Sequence, residues 1–381
     1  MKASKIHSKT PVVLFILWLF VQACVWNQFG ILTKLEAGKY IREANNIFYG
    51  RSLSTDGFTF YLLEILLIAA FKLLKVNIAY VIVLHLLINA CATNYLWKIL
   101  NGLTNYKIAT ITTALFIAFI PVQQFNFQLQ TESLFISLII FHAYFAIECA
   151  KGNKKAIVGL MIIQTLLVFS RPAGVLWTIP TTLSVFHLIR LEYKKNTTRA
   201  IGICLLALSL VAIEFVVGKS SQFNLIKPLQ NGHVICGIPT EEPNSLSVSE
   251  SDPRSVFTPL SFILENFRYF LTISAKKTIS FFGLCRSYYS PMHNALLLLF
   301  IIPVYVFAVI GLLVASKKEL SLFSIPIAGI ATTYVMVLLT CDDWHNRFSL
   351  SILSLLLILC SRGIYWTNAR LKKKTINQLN H

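Results

Sequence analysis

FTFYLLEILLIAAFKLLKV, residues 58–76, is apolar enough to pass for a membrane span, and whether it crosses decides how the rest of the chain is threaded. It lies in a 381-residue sequence that is 56% hydrophobic and 13% charged, with a mean hydropathy of +0.67. A soluble core of this size cannot absorb so much apolar surface, so the composition predicts an all-α, polytopic membrane protein. Apolar runs with polar ends fall at residues 11–33, 58–76, 78–100, 109–120, 133–150, 156–169, 174–189, 200–218, 295–315, 320–340 and 349–365. They are judged against the roughly 20 residues that a spanning helix needs. If all eleven crossed, Lys2, Lys5 and Lys9 would lie on the opposite side from Arg370, Lys372, Lys373 and Lys374, against the positive-inside rule. Residues 58–76 carry Glu64, Lys72 and Lys75, spaced so that one helix face stays apolar, which predicts a helix lying along the interface. Ten crossings remain. They put Lys98 with Lys107, Lys151 with Lys154 and Lys155, Arg190 with Lys194, Lys195 and Arg199, and Lys317 with Lys318 on the cytoplasmic side together with both termini.

The first run is too long for a signal peptide and has no small-residue cleavage site, so it reads as a retained helix whose leading residues are cytoplasmic. The expected organisation is a single integral membrane domain, 1–381, with a first outer loop at 34–77 and a long outer loop at 219–294. In the long loop, GIPTEEPNSLSVSESDPRS (237–255) reads as a mobile segment, and the aromatic, basic stretch 256–289 as one that rests on the membrane surface. Of the 16 acidic residues, all but Glu148, Glu192, Glu214 and Glu319 fall outside in this threading, which points to work done on the outer face.

The formal charge of +18 is dispersed among short loops, so it argues for topology and against nucleic acid as a partner. The eight cysteines show no metal-ligand spacing, and Cys24, Cys91, Cys149, Cys204 and Cys360 lie in apolar runs as small hydrophobes. Cys236, Cys285 and Cys341 fall in outer loops and leave one disulfide open, without a determined pairing.

Four short outer segments converge on one side of the membrane: KLEAGKYIREA (34–44), PVQQFNFQLQTES (121–133), FSRPAG (169–174) and CDDWHNRFSL (341–350). A carboxylate at such a boundary is partly desolvated, which should raise its pKa and make it a better proton acceptor. An arginine at the same depth offers a planar fork of donors suited to phosphate oxygens. The plainer alternatives are a solvated Glu36 anchored by Lys39, a Glu132 that only stabilises a helix N-terminus, and a snorkelling Arg171. At Arg347 the crowding by Asp342, Asp343 and His345 favours a site. Within the second crossing, His85 and Asn89 read as interhelical hydrogen-bond partners.

The order of these motifs carries a resemblance: Glu36, Tyr40, Ala44 and Gly50; Pro121, Thr131 and Glu132; Arg171, Pro172 and Gly174; then Arg347 and Phe348. The chain resembles, over nearly its whole length, the GT-C type membrane glycosyltransferases, which include protein O-mannosyltransferases and the aminoarabinose transferases of lipid A. The resemblance implies juxtamembrane helices in the first outer loop and transfer of a sugar, with inversion, from a polyprenyl-phosphate carrier to a lipid, glycan or protein acceptor. It also implies that Glu36 is the base and Glu132 the second-loop acid. Arg347, then Arg171, would bind the donor phosphate. Tyr40, His345, Asp342 and Asp343 are further candidate substrate contacts, and His293, like His345, reads as a candidate ligand or sugar contact against the plainer alternative of a solvated loop histidine. The metal requirement stays open, with a divalent ion as one option. The absence of eukaryotic retention signals points to a bacterial inner membrane. Two rivals are a lipid-linked glycan flippase or transporter, which should line a central cavity with charge, and a surface polysaccharide polymerase or ligase using a lipid diphosphate.

Overall fold

The computed structural model describes residues 2–34, 36–192, 197, 200–204, 207–209, 211, 227–239 and 257–379. Glu214 and most of the 237–255 stretch lie outside the described residues. The chain is an all-α membrane protein. Among the described residues, strands are confined to a hairpin of β1 (His233–Ile235) and β2 (Ile238–Pro239).

The helices are α1 (Lys2–Phe29), α2 (Glu36–Phe48), α3 (Leu62–Leu73), α4 (Val81–Leu103), α5 (Tyr106–Ala118), α6 (Ile120–Gln123), α7 (Glu132–Ala150), α8 (Ala156–Ser170) and α9 (Thr178–Glu192). They continue with α10 (Lys227–Gln230), α11 (Phe257–Glu265), α12 (Phe267–Gly283), α13 (Pro291–Leu313), α14 (Lys317–Leu339), α15 (Arg347–Ser351) and α16 (Leu353–Leu379). Six stretches among the described residues are long and apolar enough to cross: Thr10–Phe29, Ile78–Leu103, Glu132–Ala150, Pro172–Leu191, Pro291–Leu313 and Lys317–Leu339. A seventh arises if Tyr106–Ala118 and Ile120–Phe127 count as one span bent by 63°. Phe119, at φ −81° and ψ 88°, is not helical, and Pro121 just after it has no N–H to give the preceding turn. The expected run at 156–169 becomes α8, 15 residues long, which is short for a crossing.

The decisive run is not among these candidate spans. Residues 56–61 make a 3-10 turn and α3 has 12 residues, a rod of about 18 Å against about 30 Å of hydrocarbon. Its polar pattern differs from the sequence reading in one respect. Glu64 is not on the outward face with Lys72 and Lys75; it is fully buried, 3.0 Å from Nε2 of His85 on α4. His85 and Asn89 are interhelical partners, since Asn89 Oδ1 also accepts a bond of 2.8 Å from Trp18 Nε1 on α1.

The bundle closes around α7, the end of α15 and the first half of α16, and residues from Ser349 to Ser361 are buried without a break. α13 approaches α16 closely because Gly311 and Gly363 face each other. A Cβ on either would run into a main-chain carbonyl of the opposite helix, Leu359 O or Phe307 O. Outward faces are apolar, with Phe20, Leu299 and Leu313 among the most exposed side chains, as lipid contact demands. Of the cysteines in apolar runs, Cys149 and Cys360 are buried as expected, whereas Cys24, Cys91 and Cys204 sit on exposed helix faces. The stretch 256–289 does more than rest on a surface. α12 buries Lys277, whose ammonium donates to Leu338 O at 2.9 Å and Thr340 O at 2.6 Å at the end of α14.

Candidate active site

Glu36 reaches the site because the chain after α1 is tied down. Gly30 ends the helix with φ +62°, a conformation that glycine takes without steric cost. Leu32 then pairs with the segment before α7, its N–H donating to Phe127 O (2.9 Å) and its carbonyl accepting from Leu129 N (3.1 Å). Buried amides fix the same segment from below. Gln22 donates to Gln123 (2.8 Å), Asn126 donates to Gln22 (3.2 Å), and Ser133 donates to Asn126 (2.7 Å). Glu36 therefore opens α2 beside Glu132, which opens α7, although 95 residues lie between them. Each carboxylate sits where a helix dipole favours negative charge.

The other wall is the loop between α14 and α15. Asn346, at φ +58°, turns the chain so that Arg347 begins α15 pointing at the two glutamates. Its side chain is held by a bond from Nδ2 to Leu284 O of 2.7 Å. Arg347 Nη1 donates to Glu36 Oε2 and to Glu132 Oε1 (2.9 Å). Nη2 donates to Glu36 Oε1 (3.4 Å) and Asp343 Oδ2 (2.6 Å). Arg171, following the end of α8, donates from Nη1 to the same Glu132 oxygen at 2.9 Å and lies over the Phe135 and Phe348 rings. Four segments thus meet in one cluster of three carboxylates and two guanidinium groups. Lys39 completes it at 3.8 Å from Glu36.

The electrostatics correct one expectation. Burial pushes the Glu36 carboxyl up, but the hydrogen bond and charge of Arg347, helped by Lys39 and Arg171, outweigh it and hold Glu36 below the usual carboxylate range. Asp343 follows the same pattern, burial opposed and overcome by Arg347. Tyr40 is packed against Tyr61 with ring centroids 5.4 Å apart, and burial, then the field of Glu132, raises its hydroxyl well above the ordinary value. It is a wall behind Glu36 more than an open contact.

Asp342, read from the sequence as a substrate contact, is fully buried and bound by Arg286 Nη2 (2.6 Å) and Ser280 Oγ (2.7 Å). Burial raises its pKa despite Arg286. Its main chain pairs with the hairpin, through Asp342 N to Val234 O and Cys236 N to Asp342 O, both 2.8 Å. Cys236 and Cys341 are bonded there as a disulfide, which settles the pairing that the sequence left open and leaves Cys285 free. The imidazole of His345 stays outside the carboxylate cluster. It lines, with His293, the rim of a cavity of about 350 Å³ whose walls include Phe29, Phe119, Leu297 and Phe300. Sequence reasoning missed Arg286 and Tyr61, because their partners lie 56 and 21 residues away and no local pattern marks them.

Among the described residues, no group of three or more His, Cys, Asp or Glu side chains is arranged to hold a metal ion. No protein-family model matches the chain, and no curated protein shows significant sequence similarity to it.

Proposed function

We propose that the protein is a GT-C type glycosyltransferase that moves a sugar from a polyprenyl-phosphate carrier to an acceptor hydroxyl, with inversion. The observation that carries this reading is the convergence of Arg347 and Arg171 with Glu36 and Glu132 at the ends of helices remote in sequence. A displacement at an anomeric carbon with a phosphate leaving group needs a proton acceptor for the incoming hydroxyl and cations for the departing phosphate, and this cluster holds both kinds of group. In the proposed reaction Glu36 takes the acceptor O–H proton as that oxygen bonds to the anomeric carbon. The bond from that carbon to the phosphate oxygen breaks, its electron pair leaves with the phosphate, and Arg347 and Arg171 offset the charge. The cavity beside His345 has the apolar walls that an isoprenoid chain requires.

The proposed topology has ten crossings in a bacterial inner membrane, both termini in the cytoplasm and the site on the extracytoplasmic face. Support for that sidedness comes from the Cys236–Cys341 bond, which ties the hairpin to the loop that carries Asp343 and is of a kind that forms in oxidising compartments. The test is transfer from a panel of radiolabelled polyprenyl-phosphate sugars by membranes containing wild type or Glu36→Gln at equal expression. Transfer that collapses in the variant supports the reading; equal transfer by both removes Glu36 as base.

A further inference from the structure

We infer that Glu36 is a placeholder for the substrate's phosphate: in the resting protein it fills the fork of Arg347, and a phosphate monoester displaces it there, freeing the carboxylate to act. The inference rests on the functional reading above and goes beyond it by coupling donor binding to activation of the base.

The donor geometry favours an exchange. Arg347 carries four hydrogens on its two terminal nitrogens, and all four are used. Its fifth N–H, on Nε, is without a partner among the described residues but is buried, away from an incoming anion. Nη1 serves Glu36 and Glu132, and Nη2 serves Glu36 and Asp343. Glu36 alone takes one hydrogen from each nitrogen, the paired geometry that a phosphate would also take. A phosphate arriving without displacing anything would be a fourth anionic group around one guanidinium, with no terminal N–H left to receive it.

The three carboxylates are not equally replaceable. Glu132 is 2% exposed and also bound by Arg171, and Asp343 is 5% exposed and receives the His345 N–H at 2.9 Å. Glu36 is 34% exposed, and apart from Arg347 its ionic partner is Lys39, itself 56% exposed and 3.8 Å away. Glu36 is therefore the carboxylate of the three that solvent, and an incoming anion, can reach. Displacement also changes what Glu36 can do. The influence of Arg347 now outweighs burial and keeps the carboxyl a poor proton acceptor. With that partner given to phosphate, burial acts with less opposition and favours proton uptake. The base would then be active only when a donor is in place, which suppresses proton abstraction from water in the empty site.

The test is binding of farnesyl monophosphate to the purified full chain in detergent, by calorimetry, with farnesol as the uncharged control. Glu36→Gln should bind the phosphate roughly three- to tenfold more tightly than wild type, the scale expected on removing a partly exposed competitor. Arg347→Gln should abolish binding, and farnesol should not distinguish the proteins. A second readout needs no variant: farnesyl monophosphate should speed labelling of Glu36 by a hydrophobic carbodiimide, read by mass spectrometry, while Glu132 stays unlabelled. Phosphate binding that is lost in Arg347→Gln but no tighter in Glu36→Gln, or Glu36 labelling that slows, would overturn the exchange and leave the phosphate site standing. Binding indifferent to Arg347, or absent from every protein, would overturn both.

Discussion

Asp342 and Asp343 are neighbours in the chain and each binds an arginine, yet the two arginines are in opposite conditions. Arg286 and Asp342 have no exposed side-chain surface, and Arg286 is surrounded by groups that belong to its own fold: Ser280 O and Oγ, Cys285 O and Asp343 O. Arg347 is 15% exposed, and one of its three carboxylates comes from a segment 311 residues away that solvent reaches. The first cluster is closed by neutral acceptors and one carboxylate. The second gathers three carboxylates and keeps one side open, a poor design for rigidity and a suitable one for exchanging an anion. Burial with one dedicated partner makes an ion pair structural; shared partners at an accessible edge make it available for chemistry.

That contrast can be broken in several ways. The largest effect should come from Arg286→Ala, which strands Asp342 in the interior and should cost about 3–5 kcal/mol of stability, read as a fall in melting temperature in detergent. A loss under about 1 kcal/mol would mean that the closed cluster is not structural. Next, replacing Cys236 and Cys341 together by serine should cost about 2–4 kcal/mol, because the bond closes a separation of 105 residues. Reductant should lower the melting temperature of wild type and leave the double variant unchanged. Glu36→Gln should change stability by less than about 1 kcal/mol while reducing sugar transfer about 100-fold or more, a separation of folding from chemistry that Arg286→Ala should not show.

The smallest effect should appear on acidification. Glu36 and Asp343 are held below their ordinary values of 4.5 and 3.8, so their stabilisation is fully present above those values and is lost as pH falls through the lowered ones. Asp342 is raised above 3.8 and has the opposite sign, gaining relative stability as it takes up a proton. Melting followed from pH 6 to pH 3 should therefore fall more steeply for wild type than for Asp343→Asn. Parallel curves would show that Arg347 does not discriminate the charged form of Asp343.

Much of this was legible in one dimension. Hydropathy and run length identify the apolar helices, and the charges within residues 58–76 mark that run as one whose helix is too short to cross, because both follow from the cost of moving charge and backbone into hydrocarbon. The candidates Glu36, Glu132, Arg171 and Arg347 were readable as polar groups at helix ends, and they do meet. What the sequence could not show is which aspartate of the Asp342–Asp343 pair faces the site, that Glu64 turns inward to His85, that Cys236 rather than Cys285 pairs with Cys341, or that Glu36 is held acidic. Each depends on a partner from a distant segment. The sequence by itself determined which segments are apolar and where charge is concentrated, since those costs are local and additive. Only the tertiary structure decided which charges meet, because an ion pair's partner, distance and burial exist only after the helices have packed.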